Sequence, residues 1–409
     1  MEHCNRVNHW SLLQDSLSAI IRQEMEKRIK MAVHTEFEMF MEKYAHLRDD
    51  RGRSAVVRNG SNPERRFVTN AGVLNVQVPR VRDRRSGVSK RAVFHSALLP
   101  PYLRRSHHIN DLIPFLYLKG ISTASFTQVI SQIVGSKVRL SATTVVRLKE
   151  RWEKEYEKWI RRDMSKRDYI YWWVDGVYFN VRLEGERNCI LMVIGVTQDG
   201  RKELLALSAG VRESELSWME LLLDLKHRGI RKGPLLATGD GSLGFWKALY
   251  KVFPLTKQQR CWVHKTANVL DKLPKKLQEQ AKKDIHRIYL AESKKEALKA
   301  FSDFEKKYAH YEKAVHCLVK SKDETLAFYD FPKEHWRHIR STNPIESAFA
   351  TVRLRTHKTK GCGSSKATLT MVFKLAQAAQ DGWQKIHSHE LLVLVASGVK
   401  FQDGVLHAA

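Results

Sequence analysis

The sequence predicts an α/β protein whose sheet-based core is interrupted by an all-helical insertion and preceded by a mainly helical, basic region. Three observations support this. Aromatic and β-branched runs between residues 169 and 264 alternate with helical patterns, as in α/β cores. A lysine-rich helical stretch, residues 265–340, precedes a return to the core in residues 341–390. The length of 409 residues exceeds what one hydrophobic core usually organises, so several domains are expected.

The composition indicates a folded protein that binds a polyanion. Apolar residues make up 43% of the chain and charged residues 28%, as in globular proteins. The 71 basic residues against 44 acidic ones give a formal net charge of +27, which favours nucleic acid as the partner. A ribosomal or chromatin-type binder is the alternative, but such proteins are rarely this long or this rich in tryptophan.

The cysteine pattern and the hydropathy predict a cytoplasmic protein without a membrane partner. The five cysteines are scattered and form no CxxC pair, so the sequence indicates neither a disulfide framework nor a four-cysteine zinc site. No apolar run reaches the roughly 18 residues of a membrane span. The N-terminus MEHCNRVNHW lacks the apolar centre of a signal peptide.

Residues 1–60 are expected to form a helical region suited to dimerisation. Apolar and charged residues alternate irregularly over residues 11–47, with no proline or glycine before Arg51, which predicts one or two amphipathic helices. We expect such helices to pair two copies of the chain in a homodimer.

Residues 61–168 are predicted to bind DNA, beginning with a basic hairpin. Apolar and polar residues alternate on both sides of Ala71-Gly72, which is typical of two paired strands. Six arginines flank the turn: Arg65, Arg66, Arg80, Arg82, Arg84 and Arg85. Charges of this kind can protect a strand edge from aggregation, but so many arginines favour contact with phosphates.

A helix-turn-helix is predicted in the second half of the same region. One helical pattern starts at Ser122 or Thr123 and ends at Gly135, and the next opens at Ser141, a good N-cap. In that motif the N-terminal residues of the second helix enter the major groove; here they are Thr143, Thr144 and Arg147. A plain helical hairpin with a charged outer face has the same pattern and stays open as the alternative.

From Tyr169 the predicted order is three hairpin strands, helix, strand, helix and strand. The first three strands are YIYWWVDGVYFNVR, CILMVIGV and ELLALSAG, and Ser214 then caps a helix that stops at Gly229. PLLATGDGS supplies the fourth strand and KQQRCWVH the fifth. This order is that of a ribonuclease H-like core.

Three carboxylates stand out against this background. Asp175 lies inside an apolar strand, where an ionised carboxylate is costly without a cation or hydrogen bonds. Asp240 lies between two glycines at the carboxyl end of a strand, where α/β sheets usually gather ligands, although a DG pair is also ordinary turn chemistry. Glu346 is expected at the third helical position after Asn343, where a glutamate commonly completes a capping box.

Converging at one sheet edge, Asp175, Asp240 and Glu346 would hold two divalent ions about 4 Å apart for phosphoryl transfer. Oxygen ligands and a phosphate substrate favour Mg²⁺, with Mn²⁺ as a substitute. Such a site can use water to nick DNA or a 3′-hydroxyl to join it. Basic residues follow Glu346 in the same stretch and are expected to contact DNA: Arg353, Arg355 and Lys358.

From the basic hairpin to Trp383 the chain resembles the Mutator-type transposases of bacterial insertion sequences, which are DDE transposases. The resemblance lies in VDGVYFNVR with Asp175, the GDG of Asp240 after LLAT, QRCWVHK, and NPIESAFATVRLRT with Glu346. It implies the Asp-Asp-Glu assignment, a ribonuclease H-like fold and recognition of terminal inverted repeats and target DNA. It also implies DNA cleavage and strand transfer, and it favours replicative, copy-out movement through a circular intermediate.

Cys261 and His264 form a CxxH pair that resembles a family motif after the fifth strand. We expect both near the active site. One alternative is a zinc site, but the sequence shows no second pair of ligands for it. The other alternative is a packed cysteine and a hydrogen-bonded histidine without a role in catalysis. Trp262 and Trp336 either stack on an unpaired base or belong to the core.

The boundaries expected from these patterns are 1–60, 61–168, a core of 169–264 with 341–390, an insertion of 265–340, and a C-terminal tail of 391–409. The residues alone leave two other functions open. A nuclease without joining activity, such as a junction resolvase, would share the acidic site but would not need the insertion. A DNA-binding regulator would not need the three carboxylates.

Overall fold

The computed structural model describes residues 6–119, 121, 123–134, 142–180, 187–210, 212–241, 244–358 and 364–407, in places by the backbone alone. The chain divides into two compact units, Met1–Val146 and Arg147–Ala409. The boundary between the units therefore falls within the helix that the sequence predicts after Ser141, and it differs from the boundary expected after residue 168.

The first unit packs one long helix against short antiparallel strands. Its elements are α1 (Arg6–Lys43), β1 (Val56–Ser61), β2 (Arg65–Thr69), β3 (Gly72–Val76), β4 (Pro79–Asp83), α2 (His107–Leu118) and α3 (Thr123–Val134). Val33 and Phe37 of α1 are buried with Leu74 of β3, and the Phe37 ring meets Phe94 edge-on at 5.2 Å. Burial of this apolar cluster gives the unit its core.

The predicted hairpin is present as β2 and β3, which pair from Arg65↔Val76 to Thr69↔Gly72. Gly72 has a φ of 124°, which favours glycine at this turn. The sequence did not reveal that β1 and β4 form a second antiparallel pair around the hairpin. The helical pattern expected near the N-terminus as one or two helices is a single helix, α1.

The second unit contains a five-stranded mixed sheet in the order β7-β6-β5-β8-β9. Its first elements are α4 (Ala142–Ile160), β5 (Tyr169–Asn180), β6 (Arg187–Thr197), β7 (Lys202–Gly210), α5 (Glu215–His227), β8 (Leu236–Gly239), α6 (Phe245–Val252) and β9 (Lys257–Arg260). The strands β5, β6 and β7 are antiparallel neighbours, whereas β8 and β9 run parallel to β5. The predicted order of strands and helices is therefore the observed one.

The sheet is buried because its strands are apolar on both faces. Trp172 and Val174 of β5 belong to a core cluster with Trp218 of α5 and Phe245 of α6. Trp173 lies between them and faces the other side of the sheet, where its indole N–H donates to the His338 carbonyl at 2.9 Å. Strand β5 is thus fixed between two layers.

Short helical elements follow the fifth strand. They are α7 (Trp262–Leu270), α8 (Lys275–Tyr289), α9 (Lys294–Lys307), α10 (Glu312–Val319), α11 (Lys322–Thr325) and α12 (Trp336–Ile339), with 3-10 turns at Ala327–Asp330 and Lys333–His335 between the last two helices. They correspond to the expected insertion. Its two ends meet, because the Trp262 amide donates to the Arg340 carbonyl at 3.0 Å.

The chain then returns to the sheet through α13 (Asn343–Lys358) and α14 (Ser365–Gln380). Phe373 of α14 packs on Tyr156 and Trp159 of α4, with ring centroids at 5.4 and 5.0 Å. This is the packing helix expected near the C-terminus, and it fastens the last two turns of α4 to the core.

The segment expected to be a tail is folded. It contains α15 (Leu391–Ala396), β10 (Phe401–Gln402) and β11 (Val405–Leu406). The carboxylate of Asp403 accepts a hydrogen bond from the Lys294 amide at 2.6 Å, and the Gly404 amide donates to the Tyr329 carbonyl at 3.2 Å. The small hairpin therefore packs on the insertion.

Candidate active site

The carboxyl ends of the parallel strands bring the first two predicted acids together. In the parallel pairing of β5 with β8, Trp173 lies beside Thr238. Continuing this register by two residues on each chain puts Asp240 level with Asp175, and adjacent strands are about 4.8 Å apart. The aspartates thus lie at the same sheet edge, as the sequence predicted.

Asp175 is a nearly buried carboxyl, with 8% of the residue exposed. It accepts a hydrogen bond from the Gly176 amide at 2.9 Å. Burial raises its pKa to about 6; the charge of His264 opposes this shift, and Asp240 and Glu346 add to it. A buried carboxylate with so little hydrogen bonding in the described part of the chain is suited to bind a cation.

The backbone at Asp240 is held firmly. Its carbonyl accepts hydrogen bonds from the Trp246 indole at 2.7 Å and from the Arg260 guanidinium at 3.3 Å. The guanidinium itself lies 4.3 Å from the centre of the Trp246 ring. The Asp240 carboxylate also accepts a hydrogen bond from the Gly241 amide. Asp240 therefore stabilises the turn and also lies at the sheet edge.

Glu346 lies in the first turn of α13 and contacts the sheet edge through Thr342. The helix begins at Asn343, one residue earlier than expected, and the Glu346 amide donates to the Thr342 carbonyl. The Thr342 hydroxyl lies 3.0 Å from the Glu346 carboxylate. A capping box would instead use the glutamate to receive the cap residue's backbone N–H.

Cys261 and His264 complete this corner. The Cys261 thiol is buried and accepts from the Thr342 amide at 3.3 Å. The Thr342 hydroxyl, which donates its proton to Glu346, also lies 3.3 Å from the sulfur. His264 Nε2 lies 3.9 Å from the Glu346 carboxylate. Thr342 was not singled out from the sequence, because nothing in its local pattern distinguishes it from an ordinary helix cap.

The groups around His264 favour its protonated form. Its neighbour Cys261, together with Asp240 and Asp175, raises the pKa of His264 to about 9, although burial opposes the shift. A protonated imidazole next to Glu346 offsets part of the repulsion among the carboxylates.

Among the described residues, Cys261, His264 and Glu346 form a group whose potential ligand atoms lie within 4.8 Å of one another. This is a mixed sulfur, nitrogen and oxygen set, of the kind that zinc accepts. The Cys261 sulfur already accepts a hydrogen bond from the Thr342 amide and touches the Thr342 hydroxyl, which favours the packed-cysteine interpretation.

A fourth carboxylate approaches the same edge. Glu213 lies between β7 and α5, and a Cβ built on Gly176 would lie 2.4 Å from its carboxylate oxygen. Burial, together with the charges of Asp175 and Asp240, raises the pKa of Glu213 to about 7. Sequence reasoning missed this residue because a glutamate before a helix cap is common at a surface.

The candidate DNA contacts are placed unevenly. Thr143 and Arg147 are exposed on α4, and Thr144 is half-buried, with its hydroxyl 3.4 Å from the Arg105 guanidinium. Arg353 is exposed on α13. The side chains of Arg355 and Lys358, and all of Gly135 and Ser141, lie outside the described residues.

The two tryptophans considered for base stacking belong to the core. Trp262 is 2% exposed and donates its indole N–H to the Thr325 carbonyl; Trp336 is 5% exposed and donates to the Phe331 carbonyl. Burial of both rings excludes the stacking interpretation for this structure.

Comparison with known proteins assigns the family. The model of the family described as "Transposase, Mutator family" matches residues 5–386, so the chain belongs to the Mutator family of transposases. This confirms the resemblance seen in the sequence motifs. The family implies DNA transposition, by DNA cleavage and strand transfer with a divalent metal.

Two relatives illustrate the similarity. The transposase for insertion sequence element IS6120 of Mycolicibacterium smegmatis is 48% identical over 299 residues, 73% of this chain and 92% of the relative. The transposase for insertion sequence element IST2 of Acidithiobacillus ferrooxidans is 47% identical over 287 residues, 68% of this chain and 95% of the relative.

A solved chain of a simian T-cell lymphotropic virus intasome, in complex with PP2A regulatory subunit B56 gamma, aligns with a TM-score of 0.17 and 14% identity. It covers 31% of this chain and 52% of that chain, and so weak a superposition carries no argument about the fold.

None of the helices in the described part of the chain is long and apolar enough to cross a membrane.

Proposed function

We propose that this transposase is a DDE enzyme with a ribonuclease H-like core, in which Asp175, Asp240 and Glu346 are the catalytic carboxylates. The observation that carries the proposal is the parallel register of β5 and β8, which pairs Trp173 with Thr238. Continued by two residues, this register brings Asp175 level with Asp240. The position of Glu346 supports the proposal. His264 lies beside Glu346, and the charges of Asp240 and Asp175 both act on this histidine.

The residues present fit a divalent metal. The donors at the edge are carboxylate oxygens, the hard ligands that Mg²⁺ and Mn²⁺ prefer. Asp175 is 8% exposed, so an ion would compensate a charge that is costly to bury. Two such ions held by these carboxylates would supply activation of the attacking oxygen and stabilisation of the departing one.

The chain's own groups prepare this site. Trp246 and Arg260 hold the Asp240 backbone, while Thr342 orients the Glu346 carboxylate. His264 supplies a positive charge that a DNA phosphate or the carboxylates can use. With water as the nucleophile the site nicks DNA, and with a freed 3′-hydroxyl it joins DNA.

We further propose that the enzyme binds the terminal inverted repeats of its element as a homodimer, because two element ends must meet. Thr143, Thr144 and Arg147 would read or position the repeat, and Arg353, Arg355 and Lys358 would contact the backbone near the reacting phosphate. The family resemblance favours replicative, copy-out movement, which a circular intermediate would reveal.

The proposal is tested by strand transfer of a labelled terminal-repeat duplex in Mg²⁺. Asp175→Asn, Asp240→Asn and Glu346→Gln are each expected to reduce transfer by about 1000-fold or more, since a metal site supplies several kcal/mol. DNA binding, measured by gel shift, should persist. Glu279→Gln, at an exposed acid of α8, is the matched control and should transfer normally. Transfer that survives any of the three changes contradicts the assignment of that residue.

A further inference from the structure

Glu213 takes the place of a side chain at Gly176. A Cβ on Gly176 would lie 2.4 Å from the Glu213 carboxylate oxygen and 2.6 Å from its Cδ and Cγ, which are distances that real Cβ atoms do not show. Any larger residue directly after Asp175 would therefore displace this carboxylate. The glycine is what lets Glu213 approach the backbone next to Asp175.

Among the described residues, the pairing of β5 with β8 ends just before Asp175. It runs from Tyr171 to Trp173 of β5, and β8 ends at Gly239. Asp175 and Gly176 therefore lie just beyond the paired part of this strand edge. Successive residues of a strand point to opposite faces, so Asp175 and Glu213 approach this edge from the two sides of the sheet.

The backbone of Glu213 is fixed rather than loose. Its carbonyl accepts a hydrogen bond from the Gly244 amide at 3.1 Å, and its own amide lies 3.4 Å from the Tyr178 hydroxyl. A Cβ on Gly244 would lie 2.3 Å from the Glu215 amide, so the starts of α5 and α6 are in close contact. This packing fixes the position of the Glu213 backbone.

The Glu213 side chain lacks a strong partner within the described residues. Its carboxylate accepts from the Cys189 thiol at 3.9 Å, which is a weak donor. Asp175 beside it is more than nine-tenths buried and accepts the Gly176 amide. Two carboxylates with so few hydrogen bonds at one strand edge form a set of oxygen donors that suits a divalent cation.

From these contacts we infer that Glu213 is a fourth carboxylate ligand of the divalent-metal site formed by Asp175, Asp240 and Glu346. The inference rests on the proposed function, since it presupposes that these three residues hold the metal. Glu213 would help to hold such an ion from the side of the sheet that α5 and α6 cover.

Mn²⁺ binding without DNA tests this directly, with free Mn²⁺ followed by electron paramagnetic resonance. Glu213→Gln is expected to bind Mn²⁺ about 10-fold more weakly than wild type, which is the usual scale for a change around a metal ligand. Glu215→Gln is the control: it changes an acid two residues away that pairs with Lys251 and should leave binding unchanged.

Gly176→Ala is a second probe, because it keeps every carboxylate but pushes Glu213 aside. It should weaken Mn²⁺ binding as Glu213→Gln does, and thermal unfolding checks that both variants fold. If Glu213→Gln does not fold, the Mn²⁺ affinities of Gly176→Ala and Glu213→Asp test the inference in its place. If a folded Glu213 variant binds Mn²⁺ as wild type does while Asp175→Asn binds it more weakly, the inference about Glu213 is wrong and the proposed metal site stands. Wild-type affinity in Asp175→Asn as well overturns the proposed metal site itself.

Discussion

At the scale of single residues, Thr342 links two groups that the sequence presents as separate motifs. Its hydroxyl lies 3.0 Å from the Glu346 carboxylate and 3.3 Å from the Cys261 sulfur, and the residue is fully buried. The CxxH motif and the third acid are therefore in contact through one side chain. Cys261 acts on this corner as a packed acceptor.

Thr342→Val removes the hydroxyl while keeping the shape of the side chain. We expect strand transfer to fall by about 10-fold, the scale seen when a group that orients a metal ligand is removed. The measurement is the rate of joining at saturating DNA, because DNA binding should be unchanged.

Thr368→Val is the matched control for this change. Thr368 is a buried helical threonine of α14 whose hydroxyl donates to the Ser364 carbonyl at 2.8 Å, away from the acidic edge. Equal decreases in the two variants would show a general effect on stability and contradict a positioning role for Thr342.

The sequence exposed the acids whose local setting is anomalous. Asp175 could be predicted because a carboxylate inside an apolar strand demands a partner. Asp240 and Glu346 were ambiguous by themselves and became informative through their place at a strand end and a helix start. Glu213 and Thr342 could not be found in this way, because the contacts that single them out join elements that are distant in sequence.

At the scale of elements, the end of β4 depends on a buried acid. The Asp83 carboxylate accepts hydrogen bonds from the Arg85 guanidinium at 3.0 and 2.6 Å and from the Ala92 amide at 2.8 Å. The Arg85 side chain, followed by the Ala92 amide, holds the pKa of Asp83 well below its usual range against the effect of burial.

Asp83→Asn is expected to destabilise the β1 and β4 pair by about 2 kcal/mol at neutral pH, the worth of hydrogen bonds to a charged group. Because the pKa of Asp83 is lower in the folded chain, its contribution is present above about pH 4 and fades as the pH falls below the ordinary aspartate value. Hydrogen exchange of the β1 and β4 amides measures the effect.

Asp111→Asn, at an exposed acid of α2, is the control in the same unit. A difference between Asp83→Asn and wild type that stays constant below pH 4 would contradict this account of the ion pair.

Element prediction succeeded where the pattern is local. The hairpin of β2 and β3 and the cap at Ser214 follow from alternation and capping chemistry, and the Ser214 hydroxyl accepts from the Ser217 amide at 3.2 Å. The pairing of β1 with β4 brackets that hairpin and depends on contacts between residues far apart in the chain. Periodicity in one segment carries no information about such a partner.

At the scale of the whole molecule, the net charge of +27 predicts strongly salt-dependent binding to DNA. The structure separates two kinds of arginine near the hairpin. Arg65 donates to the Leu99 and Pro100 carbonyls and Arg85 pairs with Asp83, so these two support the fold. The others are exposed: Arg66, Arg80, Arg82 and Arg84.

The triple change Arg80→Gln, Arg82→Gln and Arg84→Gln tests whether this row contacts phosphates. If it does, the slope of log K against log salt should become about 2.7 units less steep, at roughly 0.9 for each phosphate that the variant no longer neutralises. Fluorescence anisotropy with duplex DNA over a salt series gives the slope.

The matched control changes three exposed lysines of α8: Lys275→Gln, Lys276→Gln and Lys282→Gln. It removes the same charge from the insertion. Equal shifts in slope would mean that overall charge is responsible, and an unchanged slope in the arginine variant would favour a role in protecting the strand edge.

The closed base of the insertion has a consequence for how such chains vary. The chain leaves the sheet at Trp262 and returns at Arg340, whose carbonyl accepts the Trp262 amide, and Thr238 of β8 also donates to the neighbouring Ile339 carbonyl at 2.6 Å. The helices between these points form a cassette with entrance and exit side by side. Lengthening, trimming or exchanging the cassette leaves the strand order intact, so it is the part of the molecule best suited to diverge, or to be grafted, while the acidic edge stays in place.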